Sequence, residues 1–232
     1  MKRSDGRKPD EMRPYEAKAG IIKRADGSAM FRMGNTIAYA AVYGPRNLYP
    51  KFMQDPQKGI LRCNYNMMPF SGSGERVRPG ASRRSKEISM VTEKALISVL
   101  NLEEFPNAVV DVFIELPQTD AGSRCAGICA ASIALADAGL VMKDMVAAVA
   151  AGCINGNVII DLSKEEEDIE GDVADIAIAV VPRTEGISLL QMDGPATKEQ
   201  LKQALSLAVK SCKAINVVQR TALKDKYKGE SK

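Results

Sequence analysis

A short segment in the middle of the chain combines residue types that bind phosphate. Gly122, Ser123 and Arg124 follow a predicted strand and begin an Ala-rich stretch predicted to be a helix. Gly122 lets the backbone approach a ligand closely, and Ser123 is expected at or near the N-cap, beside free N–H groups and the positive end of the helix dipole. With the planar guanidinium of Arg124, the segment predicts an anion site. The alternative is an ordinary helix cap with a surface arginine, since no Walker or dinucleotide motif is present.

Two adjacent arginines form a second candidate site. Arg83 and Arg84 begin another predicted helix, in a stretch that also holds Arg76, Arg78 and Lys86. Positive charge at a helix start opposes the helix dipole, and such a mismatch is expected where function overrides local preference. A polyanion backbone would satisfy both guanidinium groups. The alternative is a pair of solvated surface arginines.

Carboxylates crowd a third segment, which lies between two predicted strands. Clustered carboxylates can raise the pKa of one member or hold a magnesium ion. The alternative is an acidic loop that is simply solvated. Within this segment, Asp168 and Asp175 flank Gly171 and precede a buried strand. The acidic residues of the segment are Asp161, Glu165, Glu166, Glu167, Asp168, Glu170, Asp172 and Asp175.

The amino-acid composition excludes several kinds of chemistry. The 232 residues include no histidine, which removes Ser-His-Asp and Cys-His nucleophile schemes and zinc sites that use imidazole. Proton transfer then depends on Asp, Glu, Lys, Tyr, Cys or the substrate itself. The five cysteines are irregularly spaced without a CxxC pair and are predicted to be small buried hydrophobes. Since no apolar run spans a membrane and the start lacks a secretory pattern, we expect a soluble, cytoplasmic protein.

The elements that must position these residues follow from hydrophobic periodicity and turn signals. Their order predicts an α+β chain (mixed β-α-β) with a single domain over residues 1–232, an extended arm over 1–19 and a frayed tail over 225–232. Predicted strands cover 20–24 and 29–33 (a hairpin), 37–43, 60–68, 109–116, 145–153 and 158–162 (a second hairpin), 176–181 and 187–192. Predicted helices begin near residue 82, cover 124–138, and run from a capping box at Thr197 and Gln200 to about residue 227.

With these elements in order, the sequence resembles the RNase PH family, and within it the catalytic members from archaeal exosomes. The matching motifs occur in family order over nearly the whole chain. They are Arg3-Ser4-Asp5-Gly6-Arg7, Asp26-Gly27-Ser28, Gly34-Asn35-Thr36, Val42-Tyr43-Gly44-Pro45, Ser82-Arg83-Arg84, Thr119-Asp120-Ala121-Gly122-Ser123-Arg124 and Ala134-Leu135-Ala136-Asp137-Ala138-Gly139.

The resemblance implies a ribosomal-protein-S5-domain-2-like (RNase PH-like) fold and a phosphate-dependent 3′→5′ exoribonuclease. Such an enzyme degrades single-stranded RNA to nucleoside diphosphates, with inorganic phosphate as co-substrate, magnesium as the expected metal, and a reverse polymerisation. It also implies a related inactive subunit that alternates with this chain in a hexameric ring, and RNA-binding cap proteins of the S1 or KH type. The alternative within the family is a non-catalytic ring subunit that only scaffolds the complex and threads RNA.

The family motifs also imply roles for individual residues. Gly122, Ser123 and Arg124 match the phosphate-binding segment, whereas Arg83 and Arg84 match arginines that bind the RNA backbone. No separate serine or histidine nucleophile is needed because phosphate itself attacks.

Three further positions follow from the same resemblance. Lys51 falls where relatives place a basic residue of the central pore. Asp168 and Asp175 match an acidic pair that protonates the leaving 3′ oxygen or helps to hold magnesium. Their spacing is seven residues where archaeal relatives have six, so Asp172 is the alternative for the first position.

Overall fold

The computed structural model describes residues 3–73, 77–169 and 171–229, so the candidates Arg76 and Glu170 lie outside the described residues. The first half contains β1 (Tyr15–Ala19), β2 (Gly27–Met33), β3 (Thr36–Asn47), β4 (Ile60–Met67), α1 (Arg83–Ile97), β5 (Ala108–Gln118) and α2 (Ser123–Asp137). The second half contains β6 (Ala147–Ile154), β7 (Asn157–Ile160), α3 (Lys164–Glu167), β8 (Val173–Val181), β9 (Gly186–Asp193) and α4 (Lys198–Gly229). None of the described helices is both long and apolar enough to cross a membrane.

Two sheets carry the helices. The first has the order β1-β2-β3-β5-β4, and the second has the order β7-β6-β8-β9. All neighbouring strands are antiparallel except β4 and β5, which α1 connects as a parallel pair. The α2 helix packs against both sheets, and its small side chains, nearly all buried, allow that close approach. This packing places the start of α2 beside strand ends from both sheets.

The first hairpin differs from its prediction. The strand that pairs with β2 is β1, with Ala19 opposite Ala29, rather than residues 20–24. Residues 20–26 instead form the connection because Ser28 binds it: the Gly20 N–H donates to the Ser28 carbonyl (2.7 Å) and the Ile22 N–H donates to the Ser28 hydroxyl (2.8 Å). The predicted arm over 1–19 therefore ends in a strand of the sheet.

Other elements agree more closely with the sequence. The capping box of the last helix is present, since the Thr197 N–H donates to Gln200 Oε1 (2.7 Å) and the Gln200 N–H donates to Thr197 Oγ1 (3.3 Å). This helix continues to Gly229, so residues 225–229 are helical where the sequence predicts fraying. The five cysteines are free and buried, which confirms their prediction as small core residues.

Candidate active site

A cleft of about 330 Å³ opens at the start of α2. It brings together Gly122, Ser123 and Arg124 of the predicted anion site, Arg84 from α1 and Asp175 from β8. These residues are far apart in sequence, and the packing of α2 between the sheets makes them neighbours. The three candidate segments thus each contribute at least one side chain or backbone group to one site.

The start of α2 has the backbone geometry of an anion site. Ala121 and Gly122 are consecutive residues in the left-handed region (φ +52° and +61°), and Gly122 rather than Ser123 is the N-cap. Because Gly122 has no side chain to accept from the first turn, the N–H groups at the start of the helix are left for a ligand. Ser123 is the first helical residue and is buried.

The loop that leads into α2 is held by contacts with two other segments of the chain, one at residues 35–36 and one at Lys164. Thr36 Oγ1 accepts from the Asp120 N–H (2.8 Å) and donates to the Ala121 carbonyl (2.7 Å). The two carboxylate oxygens of Asp120 accept from Asn35 Nδ2 (3.1 Å) and from the Lys164 N–H (3.0 Å). These contacts fix the left-handed turn before any ligand binds, which reduces the cost of binding.

Buried ion pairs also stabilise the loop that leads into α2. Arg13 donates through Nε (3.0 Å) and Nη2 (2.6 Å) to Asp161, and through Nη1 to the Asp120 carbonyl. Arg3 makes a second two-pronged pair with Glu166 (2.7 and 2.8 Å). Both carboxylates are almost completely buried, so these two members of the acidic segment are paired core residues instead of solvated ones.

Replacing Arg13 should destabilise the fold strongly. Arg13→Ala leaves the fully buried carboxylate of Asp161 without its main partner, and breaking a buried pair in this way costs about 3 kcal/mol or more. The free energy of unfolding in denaturant measures the effect. Arg32→Ala is the matched control. Arg32 is about half exposed and its ion pair with Glu16 is long (4.0 Å), so its loss should cost less than about 1 kcal/mol. Equal losses in the two variants would contradict a supporting role for Arg13.

Two carboxylates in the cleft have raised pKa values. Burial raises the pKa of Asp175, and Asp193 adds to this while Arg124 and Arg84 oppose it. Burial and the charge of Asp175 likewise raise the pKa of Glu167. Asp175 Oδ1 is buried and has no hydrogen-bond partner among the described residues. A carboxyl group whose pKa is raised keeps its acid form to higher pH than an ordinary carboxyl group, which favours a role as a proton donor.

The acidic pair taken from the family motif is only partly in the cleft. Asp175 lines it, whereas the exposed side chain of Asp168 pairs with Lys164 Nζ (2.6 Å) and lines only an adjoining cleft. Asp172, the alternative, is exposed and lines neither. Glu167 occupies the cleft instead.

The sequence contained a signal that places Glu167. Ser163 and Glu166 have the spacing of a capping box, and the Ser163 N–H donates to Glu166 Oε2 (2.9 Å). This cap begins the short helix α3 inside the acidic segment. Glu166 pairs with Arg3, away from the cleft, whereas Glu167, which follows Glu166 in the chain, lines the cleft.

The basic candidates occupy different positions. Ser82 caps α1 and Arg84 on its first turn lines both clefts, whereas Arg83 is exposed and lines neither. Lys51 is exposed on a 3₁₀ turn (Lys51–Met53), outside both clefts. Only Arg84 of the three therefore lies at the anion site itself.

The side chain of Gln191 positions Arg124, and the sequence did not predict this residue. Arg124 Nη1 donates to Gln191 Oε1 on β9, and Gln191 Nε2 donates to Glu87 Oε1 on α1 (2.7 Å). Sequence alone gives no signal for this chain of contacts because its members are distant in sequence.

The fit to magnesium is limited to one mode of binding. Within residues 3–73, 77–169 and 171–229, no group of three or more Asp, Glu, Cys or His side chains is arranged to hold a metal ion. Magnesium is often held by one or two carboxylates together with substrate phosphates. Asp175, with its unpartnered oxygen, and Glu167 fit that mode, whereas Asp168 is engaged by Lys164.

The cleft combines an anion site at a helix start, two arginines and a buried carboxyl group, which suits an enzyme that has phosphate groups as reactants. The chain belongs to the 3′ exoribonuclease family of RNase PH: residues 11–141 match the family model for domain 1 and residues 144–211 match the model for domain 2. The predicted family, the RNase PH-like fold and the phosphorolytic exoribonuclease activity of that family are thereby confirmed.

Several known proteins are similar over nearly the whole chain. Exosome complex component Rrp41 of Methanopyrus kandleri is 51% identical over 228 residues, which cover 98% of this chain and 94% of the relative. The Rrp41 component of Thermococcus kodakarensis is 53% identical over 226 residues, which cover 97% and 90%.

Solved structures agree with the fold. Rice Rrp46 superposes with a TM-score of 0.82 at 26% identity, covering 95% of this chain and 100% of that one. A chain of the Archaeoglobus fulgidus exosome with RNA bound to the active site superposes with a TM-score of 0.78 at 21% identity, covering 97% and 92%.

Proposed function

We propose that this chain shortens single-stranded RNA from its 3′ end by phosphorolysis, as the catalytic RNase PH-like subunit of an exosome. The observation that carries the proposal is one cleft that joins the start of α2, Arg124, Arg84 and the buried carboxyl group of Asp175. The similarity to exosome components over nearly the whole chain supports the same function. A purely scaffolding subunit would have no need for this combination of groups.

The geometry suggests how the groups act on the two reactants. Orthophosphate binds at the start of α2 through backbone N–H groups, Ser123 and the guanidinium of Arg124. Arg84 binds the last phosphodiester of the RNA and neutralises charge that develops on it. The bound orthophosphate is then held for in-line attack on that phosphorus atom.

The chemical step needs one proton. An orthophosphate oxygen forms a bond to the terminal phosphorus, and the bond from that phosphorus to the 3′ oxygen of the preceding nucleotide breaks. Asp175, whose pKa is raised by burial, gives a proton to the departing oxygen from its acid form. The products are a nucleoside diphosphate and an RNA shorter by one nucleotide, and the reverse steps extend RNA from nucleoside diphosphates.

RNA reaches this cleft along basic residues outside it. Arg83 and Lys51 are exposed and serve in this proposal as backbone contacts, with no reading of base sequence. Binding through phosphates releases counterions, so RNA affinity falls as salt increases.

The remaining parts of the assembly belong to the same proposal. A related inactive subunit alternates with this chain in a six-membered ring, and S1- or KH-type proteins cap one face. Glu167, together with substrate phosphates, would hold magnesium, which would neutralise phosphate charge. Asp175 would add an oxygen ligand only in its ionised form, that is, when it does not carry the proton for the departing oxygen. Asp168 contributes to the metal only if it leaves Lys164. A cytoplasmic location stays a prediction.

The released product tests the proposal. The assembled complex is incubated with magnesium, orthophosphate and single-stranded RNA labelled at its 3′ nucleotide. We expect labelled nucleoside diphosphate, at a rate that rises with phosphate concentration and stops when chloride replaces phosphate. Labelled nucleoside monophosphate, or release that does not require phosphate, would show that the cleft does not perform phosphorolysis.

A further inference from the structure

The hydroxyl group of Tyr65 is a buried polar atom for which the described residues offer no hydrogen bond of good geometry. Tyr65 lies on β4 with 4% of its surface exposed, and its backbone N–H donates to Ser89 Oγ (2.9 Å). Its phenolic oxygen is buried and finds no hydrogen-bond partner within the described part of the chain. Leaving a buried hydroxyl group unpaired costs free energy, so such a group calls for a specific explanation.

The ring of Tyr65 is fixed against the first half of α2. A Cβ atom placed on Gly127 would lie 3.6 Å from Cε2 and 3.7 Å from Cδ2 of the Tyr65 ring, so the ring lies on the helix at this residue. Ser123 is four residues earlier and therefore on the same helix face. The Tyr65 side chain lines the cleft together with Ser123 and Arg124.

The hydroxyl group is also in the protonation state of a donor. Burial raises the pKa of Tyr65. A side-chain interaction with the Ser123 hydroxyl group, which does not have the geometry of a full hydrogen bond, and the charges of Arg84 and Arg124 oppose this only in part. The phenol is therefore neutral at physiological pH. A neutral donor adds a hydrogen bond to an anion site without adding a negative charge that would repel the ligand.

We propose that the Tyr65 hydroxyl group donates a hydrogen bond to the orthophosphate bound at the start of α2, which makes Tyr65 a phosphate-binding residue of the reaction. This inference rests on the proposed phosphate site at Gly122, Ser123 and Arg124. It explains why this buried hydroxyl group, although it lies next to Ser123, forms no hydrogen bond of good geometry among the described residues: its partner is the co-substrate.

Removing the single oxygen atom tests this assignment in the assembled complex. In Tyr65→Phe, the KM for orthophosphate should rise about tenfold, because a hydrogen bond to a charged group is lost. The KM for RNA should stay within about twofold of the wild-type value. Tyr227→Phe is the matched control, because it removes a phenolic oxygen at the exposed end of α4 and should leave both constants unchanged.

Thermal melting separates ligand binding from a structural role. Without phosphate, Tyr65→Phe should melt at the wild-type temperature or above it, because the substitution removes a buried hydroxyl group that forms no hydrogen bond within the described part of the chain. Saturating phosphate should raise the melting temperature of the wild type by more than that of Tyr65→Phe at the same concentration. A hydroxyl group with a purely structural role would give the opposite pattern: a lower melting temperature without phosphate and an unchanged increase with it.

A second variant makes the two possible failures distinguishable. If Arg124→Ala loses phosphate binding while Tyr65→Phe keeps the wild-type KM for phosphate, the role of Tyr65 is overturned and the proposed site stands. If neither variant changes phosphate binding, the proposed site itself is wrong.

Discussion

Arg124→Ala should lower the rate of phosphorolysis about a thousandfold or more while the chain stays folded and assembled. Arg124 is the charged donor at the start of α2. Removing one preorganised donor from a site of developing charge lowers the rate by about 10²- to 10³-fold. Loss of the ionic attraction between Arg124 and phosphate adds to this decrease. Single-turnover rates of the assembled complex, at several phosphate concentrations, measure the loss. A turnover within about tenfold of wild type would contradict the assigned site.

Two companion variants show what Arg124 supplies. Arg124→Lys keeps the positive charge but loses the planar fork, so it should recover only part of the activity. Gln191→Ala keeps Arg124 and removes the side chain that orients it, so the loss should be smaller, about tenfold. Melting temperatures near that of the wild type in all three variants would show that the losses are not caused by unfolding.

Asp175→Asn should lower kcat by about 10²- to 10⁴-fold with little change in either KM, because an amide cannot protonate the departing 3′ oxygen. The pH dependence carries a second signature. Burial raises the pKa of Asp175, so its acid form persists to higher pH than in an ordinary aspartate, and kcat falls as the pH rises through that pKa. Rates from acidic to alkaline pH should show this decrease in the wild type but not in Asp175→Asn.

Neighbouring carboxylates provide the comparison for Asp175. Glu167→Gln changes a residue of the cleft and should lower the rate more than Asp168→Asn, whose carboxylate is exposed and paired with Lys164. Asp172→Asn, exposed and outside both clefts, is the matched control and should stay within about twofold of wild type. If Asp168→Asn were the most damaging of these variants and Asp175→Asn were active, the acid would be Asp168.

Local signals predicted much of the fold. The β4 strand, the second predicted hairpin (now β6 and β7) and the last helix with its cap at Thr197 follow from alternation, turn chemistry and capping that act within a few residues. The prediction of the first hairpin was wrong because the conformation of residues 20–26 depends on Ser28. The carbonyl and hydroxyl groups of Ser28 accept hydrogen bonds from the N–H groups of residues 20 and 22. Turn composition alone does not contain that contact.

Sequence predicted the centre of the candidate site but not its surroundings. The segment from Gly122 to Arg124 was identifiable because its residues are adjacent. The pair of Arg13 with Asp161 spans 148 positions, and the contact of Arg124 with Gln191 spans 67, so neither has a local pattern. The proposed role of Tyr65 depends on a buried hydroxyl group without a hydrogen bond among the described residues, which is visible only when the core around it is known.

The most direct test of phosphorolysis at the start of α2 is a structure of the assembled complex soaked with saturating orthophosphate. The predicted result is one phosphate per chain, bonded to the backbone at the start of α2, to Ser123 and to Arg124, with the Tyr65 hydroxyl group in hydrogen-bond distance. An empty helix start under these conditions, or a phosphate bound elsewhere in a complex that still releases nucleoside diphosphates, would contradict it.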